Sequence, residues 1–458
     1  MSLVDKATLV SKLTTIVNTT YETGSYVVDD VLSTALSMSL LSEINIITVD
    51  SVDLLPNLKY YNSPNAMIYY VNSIDVFAVS SNLKWLTLDG RLLRQDSLYG
   101  KIWSWGVATS GQLGDNTAIP KSSPVSVVGG FSDWCEISAG DYHSVGVRLN
   151  GTAWGWGRGT CGVIGDNASI SRSSPVSVVG GFTDWCQVYA GYDHSLGLRS
   201  NGTAWAWGRN TVGAGSLGDN TTVDKSSPVS VVGGFTDWCQ LSAGRCFSLG
   251  VRTNGSLWGW GINSRGQLGD NTLLAKSSPV SVVGGFTDWR QVSAGGFHTL
   301  AVRTNGTAWA WGCGGEGRLG DNATLDRSSP VSVVGGFTDW CQLSGGNNHS
   351  LGVRTNGSLW GWGLNASAQL GDNTTSNRSS PVSVVGGFTD WCQVSAGTSH
   401  SLAVRQNGTA WAWGCGNCGM LGDCTIVAKS SPVSVVGGFT NWCQVSASKC
   451  NGLGVISL

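Results

Sequence analysis

The sequence predicts an all-β fold: a closed seven-bladed β-propeller over residues 99–458, preceded by a small α+β module over residues 1–98. Two observations predict the propeller. Three motifs each recur seven times, and successive copies lie 51 or 53 residues apart. Each copy also contains four short segments with the composition of β-strands, and a period of this length with four strands is typical of a propeller blade.

Three motifs define the repeated unit. The first is Ser-Ser-Pro-Val-Ser-Val-Val-Gly-Gly-Phe, with its proline at positions 124, 175, 228, 279, 330, 381 and 432. The second is Trp-x-Trp-Gly, starting at positions 103, 154, 205, 258, 309, 360 and 411. The third is Gly-Asp-Asn, with its aspartate at positions 115, 166, 219, 270, 321, 372 and 423, and Cys424 replaces the last asparagine.

The fourth unit illustrates the four strands. They are predicted over Pro279–Val283, Gln291–Ala294, His298–Arg303 and Ala308–Trp311, with Asn305-Gly306 as a hairpin turn. Both tryptophans of Trp-x-Trp lie on one face of their strand, since side chains alternate. A third tryptophan recurs in Asp-Trp-Cys-Gln, so 21 of the 22 tryptophans occupy repeat positions and are predicted to be scaffold.

The two ends of the array predict how the ring closes. The array starts with the Trp-x-Trp strand at residues 101–106 and ends with a lone strand at Asn451–Leu458. These are the two halves of one hairpin. One blade should therefore combine three strands from the C-terminus with one from residues 101–106, which would remove the free sheet edges.

Two strings of the repeat carry a family resemblance. Residues 295–312, Gly-Gly-Phe-His-Thr-Leu-Ala-Val-Arg-Thr-Asn-Gly-Thr-Ala-Trp-Ala-Trp-Gly, and residues 261–269 closely resemble the repeat of the regulator of chromosome condensation family. The resemblance covers residues 101–458 and implies a seven-bladed propeller. The founding member is a guanine-nucleotide exchange factor bound to chromatin, with a protruding insertion and a basic tail. The longest insertion here is two residues near Ala214-Gly215, and no basic tail is seen.

Composition narrows the function classes. The chain has 29 acidic and 27 basic residues without a basic run, which argues against binding to nucleic acid or to an anionic membrane. It has no 18-residue apolar stretch and no signal-peptide pattern at its start. The 13 cysteines do not form a spaced disulfide framework. A soluble protein made in a reducing cytoplasm, without membrane insertion, is predicted.

The candidate chemistry favours a protein that is not an enzyme and has no cofactor. The five histidines share one repeat position around a ring, so they cannot gather at one site, and a structural role is predicted. The Gly-Asp aspartates are expected to cap turns rather than bind calcium. Six of the 13 cysteines follow the tryptophan of this third repeat position and are predicted to be small buried hydrophobes: Cys135, Cys186, Cys239, Cys341, Cys392 and Cys443. Cys415, Cys418 and Cys424 leave a metal site open as an alternative, although no metal is predicted.

The first 98 residues differ in composition from the repeats. Helices are predicted over about residues 2–17 and 27–41, followed by short strands from Ile46 to Arg91. This segment is too small for a good core, so we interpret it as a docking or oligomerisation module. Residues 69–94 resemble, over a short stretch, modules of bacteriophage virion proteins, in particular tail fibres.

These patterns leave three hypotheses for function. The first is a non-enzymatic virion structural or host-contact protein, a homo-oligomer held to other virion proteins by residues 1–98. The alternative is a cytoplasmic protein-interaction scaffold of the chromosome-condensation-regulator type, which includes a guanine-nucleotide exchange factor. The third is an enzyme that uses the central cavity.

Three stretches differ from copy to copy against an otherwise uniform frame. They are the pair of residues before the histidine, the residues after Trp-x-Trp-Gly and the residues after Gly-Asp-Asn. Loops on a rigid frame commonly carry recognition, and aromatic and arginine side chains dominate contact sites. The predicted binding residues are Tyr142, Tyr192, Arg245, Phe297, Asn347, Asn348, Arg209 and Glu316. Random drift in unconstrained loops is the alternative.

Overall fold

A computed structural model describes residues 99–211 and 215–457, together with five strands between residues 47 and 95. The chain divides into two compact units, Met1–Leu98 and Tyr99–Leu458. No helix among the described residues is long and apolar enough to cross a membrane.

The described backbone of the first unit is a five-stranded sheet with the strands in chain order. The strands are Ile47–Val49, Ile68–Val71, Val76–Ser81, Lys84–Thr87 and Leu92–Gln95. The first pair is parallel and the other three pairs are antiparallel. Four of these strands lie within the range predicted from Ile46 to Arg91, and the fifth, Leu92–Gln95, lies wholly beyond its expected end. The helices predicted over residues 2–17 and 27–41 lie outside the described residues.

The second unit consists of seven four-stranded antiparallel blades around a central channel. The inner strands, which line the channel, are Trp134–Ala139, Trp185–Ala190, Trp238–Ala243, Trp289–Ala294, Trp340–Gly345, Trp391–Ala396 and Trp442–Ala447. The second strands are His143–Arg148, His194–Arg199, Phe247–Arg252, His298–Arg303, His349–Arg354, His400–Arg405 and Asn451–Ser457.

The Trp-x-Trp and Ser-Ser-Pro-Val-Ser motifs form the outer half of each blade. The third strands are Ala153–Gly157, Ala204–Gly208, Leu257–Gly261, Ala308–Gly312, Leu359–Gly363, Ala410–Gly414 and Gly100–Gly106. The outer strands are Arg172–Ser177, Lys225–Ser230, Lys276–Ser281, Arg327–Ser332, Arg378–Ser383, Lys429–Ser434 and Lys121–Ser126. Short 3-10 turns occur at Thr160–Gly162, Gly315–Gly317 and Asn417–Gly419.

The ring closes by pairing the two ends of the array. Asn451–Ser457 pairs with Gly100–Gly106 over seven register positions, which confirms the predicted hairpin between the ends. The predicted division of strands is wrong, because the closing blade takes two strands from each end of the array rather than three and one. The outer strand Lys121–Ser126 pairs with Gly100–Gly106, so Ser-Ser-Pro-Val-Ser completes a blade instead of starting one.

Tryptophans fill the space between neighbouring blades. The second tryptophan of every Trp-x-Trp motif is fully buried, and its indole N–H donates to a backbone carbonyl of the preceding blade, as from Trp260 to the Ser216 carbonyl (3.0 Å). The tryptophan of Asp-Trp packs against it, as Trp289 does on Trp311 with 5.9 Å between ring centroids. The predicted scaffold role of the tryptophans is confirmed.

Four of the five buried histidines, at positions 143, 194, 298 and 349, connect neighbouring blades through a serine hydroxyl. His143 Nε2 lies 2.8 Å from Ser195 Oγ, and His298 Nε2 lies 2.9 Å from Ser350 Oγ. Burial lowers the pKa of His143 to about 3, so the ring is neutral. The structural role predicted for this position agrees with these bonds. Because each histidine begins the second strand, it also fixes the turn just before it, where the sequence varies.

Candidate functional site

The three variable stretches lie at one end of the propeller. Strands alternate in direction, so the connections from inner to second strand and from third to outer strand share one face. We call this the variable face. The opposite end, the uniform face, carries the Asn-Gly turns and the Gly-Gly-Phe connections, whose sequences hardly differ among blades. Contacts between the stretches agree with this grouping, since the Arg158 guanidinium lies 5.0 Å from the Tyr142 ring centroid.

Five side chains before the second strands form a continuous row, which we call the belt. Tyr142 and Tyr192 meet edge to face with 5.6 Å between centroids. The Arg245 guanidinium lies over both the Tyr192 ring (5.0 Å) and the Phe297 ring (5.1 Å). Lys449 Nζ lies 4.7 Å from the ring centroid of Tyr142, on the next blade, and donates to its phenolic oxygen at 2.5 Å. The belt thus crosses five consecutive blades, and each member is half-buried.

A second row of charged side chains supports the belt. Arg209 Nη1 lies 2.7 Å from one Asp193 oxygen, and Arg158 Nη1 lies 3.9 Å from the other. Asp193 is buried, so it is an anchor for both arginines rather than an exposed acid. The sequence predicts Arg209 as a binding residue, whereas the structure gives it an ion pair beneath the belt.

Asp141 is a carboxylate beside the belt. Burial raises the pKa of Asp141 to about 6, and nearby Lys449 and Arg245 partly offset this effect. The described residues include no ion pair to Arg245, which is held by its two aromatic neighbours. The row therefore offers aromatic faces and restrained cations side by side.

The other predicted binding residues are more scattered. Asn347 and Asn348 continue the row of turns, and Asn348 Oδ1 accepts a hydrogen bond from Arg318 Nη1 (2.7 Å). Sequence reasoning missed Arg318, which is almost fully buried below these turns. Glu316 is exposed and accepts a hydrogen bond from Asn377, just before an outer strand. The structure therefore does not bring Glu316 to the belt.

Exposed aliphatic side chains are also concentrated on the variable face. Among the described residues, nine large hydrophobic side chains are about half exposed or more, and eight of them follow a Gly-Asp-Asn motif. They are Ile119, Ile170, Val223, Leu273, Leu274, Leu325, Ile426 and Val427. Only Leu149 belongs to the uniform face. Clustered exposed apolar groups are typical of contact surfaces, so the two faces differ in chemistry as well as in variability.

Two channel residues were also missed. Glu136 replaces the glutamine that the other six inner strands carry, and Tyr189 replaces their serine. Burial raises the pKa of Glu136 to about 7. A comparison of the copies of Trp-Cys-Gln-x-Ser-Ala would have revealed both departures.

The cysteine prediction is partly wrong. Cys186, Cys239, Cys341 and Cys392 are exposed instead of buried. Each follows the tryptophan at a β-bulge, which turns the side chain outward, and Cys186 Sγ donates to the Leu198 carbonyl at 3.3 Å.

The described part of the chain contains no metal site of the kinds considered from the sequence, a cysteine site or a calcium site at the Gly-Asp aspartates. No group of three or more His, Cys, Asp or Glu side chains there could hold an ion. Cys415 packs against an apolar cluster, while Cys418 and Cys424 are exposed. The Gly-Asp aspartates cap turns: Asp270 Oδ1 accepts from the Thr272 N–H at 3.0 Å.

Comparisons with known proteins match this architecture. Residues 181–452 match the RCC1-like domain, and residues 99–147 and 134–163 match the regulator of chromosome condensation (RCC1) repeat. The chain is 30% identical to the ultraviolet-B receptor UVR8 of Arabidopsis thaliana, over 72% of this chain and 76% of the receptor. It is 28% identical to the mitochondrial RCC1 domain-containing protein RUG3 of the same plant, over 67% and 72% of the two chains.

Solved structures agree on the fold. Prp20p of Saccharomyces cerevisiae superposes with a TM-score of 0.71 at 21% identity, over 79% of this chain and 92% of Prp20p. That structure was described with the binding of Prp20p to Gsp1p and histones. At this identity the solved structures show the fold alone, and neither they nor the sequence relatives named above support the virion hypothesis.

Proposed function

The chain belongs to the RCC1-like domain family, and we propose that it is a non-enzymatic, cytoplasmic protein-binding propeller whose contact surface is the variable face. The belt of Lys449, Tyr142, Tyr192, Arg245 and Phe297 carries this proposal. Residues from the variable pair before each second strand, contributed by five consecutive blades, join there into one row of aromatic and cationic groups. Random sequence drift in unconstrained loops does not explain why aromatic and cationic side chains of neighbouring blades contact one another.

The belt has the chemistry of a protein contact site. Tyrosine and arginine are enriched among the residues that dominate binding energy, and charged–aromatic pairs contribute about 0.5–1 kcal/mol each when exposed. Arg245 is already held between Tyr192 and Phe297, so it loses little freedom when a partner binds. The exposed aliphatic side chains around the belt would add apolar contact area on the same face.

The relatives support a protein as the ligand. Prp20p is described as binding Gsp1p and histones, and another structure holds yeast RCC1 (Prp20) bound to Kap60. Guanine-nucleotide exchange is a weaker proposal for this chain, because its longest insertion is two residues near Ala214-Gly215. We retain residues 1–98 as a proposed oligomerisation module.

Site-specific photo-cross-linking tests which face binds. A photoreactive phenylalanine analogue is placed at Phe297 on the variable face or at Thr304 on the uniform face, at opposite ends of one second strand. Both sites are accessible, so both variants should fold alike. We expect Phe297 to yield a discrete protein adduct in cells and Thr304 to yield none. Adducts from Thr304 alone would overturn the proposal.

A further inference from the structure

Side-chain hydrogen bonds join the inner strands of neighbouring blades around the channel. Gln291 Nε2 donates to the Leu343 carbonyl (2.7 Å), and the Leu343 N–H donates to Gln291 Oε1 (2.9 Å). The glutamine amide thus acts like a peptide group of an extra strand. The same two-way bridge occurs at five of the seven junctions between blades.

The two remaining junctions flank the second blade. At one, Glu136 stands where the bridge needs a glutamine, and an ionised carboxylate has no N–H to donate. At the other, Gln187 Oε1 accepts a hydrogen bond from Tyr189 Oη at 2.7 Å. Tyr189 itself stands where the other blades carry serine. Glu136 and Tyr189 both line the channel, in one sector of its wall.

Few groups around Glu136 offset the negative charge of its carboxylate. It accepts a hydrogen bond from Gln444 Nε2 at 3.2 Å, and no ion pair to it occurs among the described residues. The cations Lys449 and Arg245 at the channel mouth act on Asp141 instead. A half-buried carboxylate without a partner cation destabilises the fold, and such departures from a consistent frame are typical of functional sites.

We propose that Glu136 and Tyr189 form a binding site in the channel for a primary ammonium group at the end of an unbranched chain. The ammonium would donate hydrogen bonds to the Glu136 carboxylate and to Tyr189 Oη, whose own proton is directed to Gln187 and which also interacts with the Leu241 backbone N–H. A compact cation with three donors suits a carboxylate and a phenol better than a planar guanidinium does.

The size of the channel fits this ligand. Its volume is about 270 Å³, and its wall near the site is made of small residues such as Ser138, Ala139 and Ala190. A lysine side chain of a protein partner and a free polyamine share the required chemistry. The site lies inside the channel, so its occupation can be tested without the belt or its partner.

Calorimetry on the full chain tests the site with two probes. They are spermidine and the capped peptide acetyl-Gly-Lys-Gly-amide, and the same peptide with an acetylated lysine is the neutral control. Glu136→Gln is the matched variant, because glutamine occupies this position in the other six blades. We expect at least one amine to bind, a loss of at least tenfold in affinity in E136Q, and no binding of the acetylated peptide.

The measurement also has a proton readout. Burial raises the pKa of Glu136 to about 7. A bound ammonium favours the ionised carboxylate, so binding at pH 7 should release a proton, seen as a dependence of heat on buffer ionisation. Preferential binding of the peptide would identify a partner lysine as the source, and preferential binding of spermidine a polyamine. Equal affinity in E136Q, equal binding of the acetylated peptide, or no binding of either amine at millimolar concentration would overturn the proposal.

Discussion

Replacing Glu136 by glutamine should stabilise the propeller, and increasingly so as the pH rises. Burial raises the pKa of Glu136 from 4.5 to about 7. The folded state therefore binds more protons than the unfolded state between these values, and the parent loses stability as the pH rises through this interval. At about 1.4 kcal/mol per pKa unit, the loss reaches at most about 3 kcal/mol above pH 7, less where channel water screens the carboxylate.

Glutamine removes this loss and restores the bridge. The amide introduced by E136Q can donate to the Val188 carbonyl as Gln291 donates to Leu343, which adds about 1 kcal/mol at every pH. The stability advantage of E136Q should therefore grow from about 1 kcal/mol at pH 4.5 to at most about 4 kcal/mol at pH 8.

Urea unfolding at pH 4.5 and pH 8 measures the difference. The reciprocal change Gln291→Glu is the control, because it places a carboxylate in an intact junction and should destabilise more at pH 8 than at pH 4.5. An advantage of E136Q that stays constant or shrinks as the pH rises would refute the reasoning. So would a variant less stable than the parent at pH 8.

Removing residues 451–458 should cause aggregation or loss of cooperative unfolding, because it deletes a paired strand containing the fully buried Leu453; an unchanged melting temperature would contradict the closure. His143→Phe introduces the residue that Phe247 supplies at this repeat position. Burial lowers the pKa of His143 to about 3 in the folded protein, so the parent loses stability as the pH falls below about 6.5. The variant should lose less stability between pH 7 and pH 4, and an equal loss would count against a neutral buried ring. Light scattering should show a monomer for residues 99–458 and an oligomer for the full chain. The same number of chains per particle in both would refute the proposal that residues 1–98 drive oligomerisation.

The periodic features of the fold could be predicted because the sequence repeats each motif seven times. Spacing, turn dipeptides and the paired tryptophans indicated four strands per unit and a closed ring. The blade to which each Ser-Ser-Pro-Val-Ser strand belongs could not be predicted. The motif lies between two blades in the sequence, and only its hydrogen-bonded partner strand decides which blade it joins. The exposure of Cys186 depends on a bulge that strand alternation does not reveal.

The candidate site was only partly predictable. Variation among the copies identified Tyr142, Tyr192, Arg245 and Phe297, but their continuity as a row depends on side-chain directions. The same reasoning placed Glu316 with them, although its loop belongs to the outer part of a blade. Variation among the loops could not indicate Glu136, because this residue lies within an otherwise uniform strand.

The affinity of the cross-linked partner for two fourfold variants tests the central claim most directly. One replaces Tyr142, Tyr192, Arg245 and Phe297 by alanine, and the other replaces Leu149, Ser200, Thr253 and Thr304, exposed residues at the opposite ends of the same four second strands. Both variants should fold. The first should lose at least about 30-fold in affinity, the effect of one hot spot of about 2 kcal/mol, and the second should bind like the parent. Undiminished binding by the first variant, or loss confined to the second, would contradict the central claim.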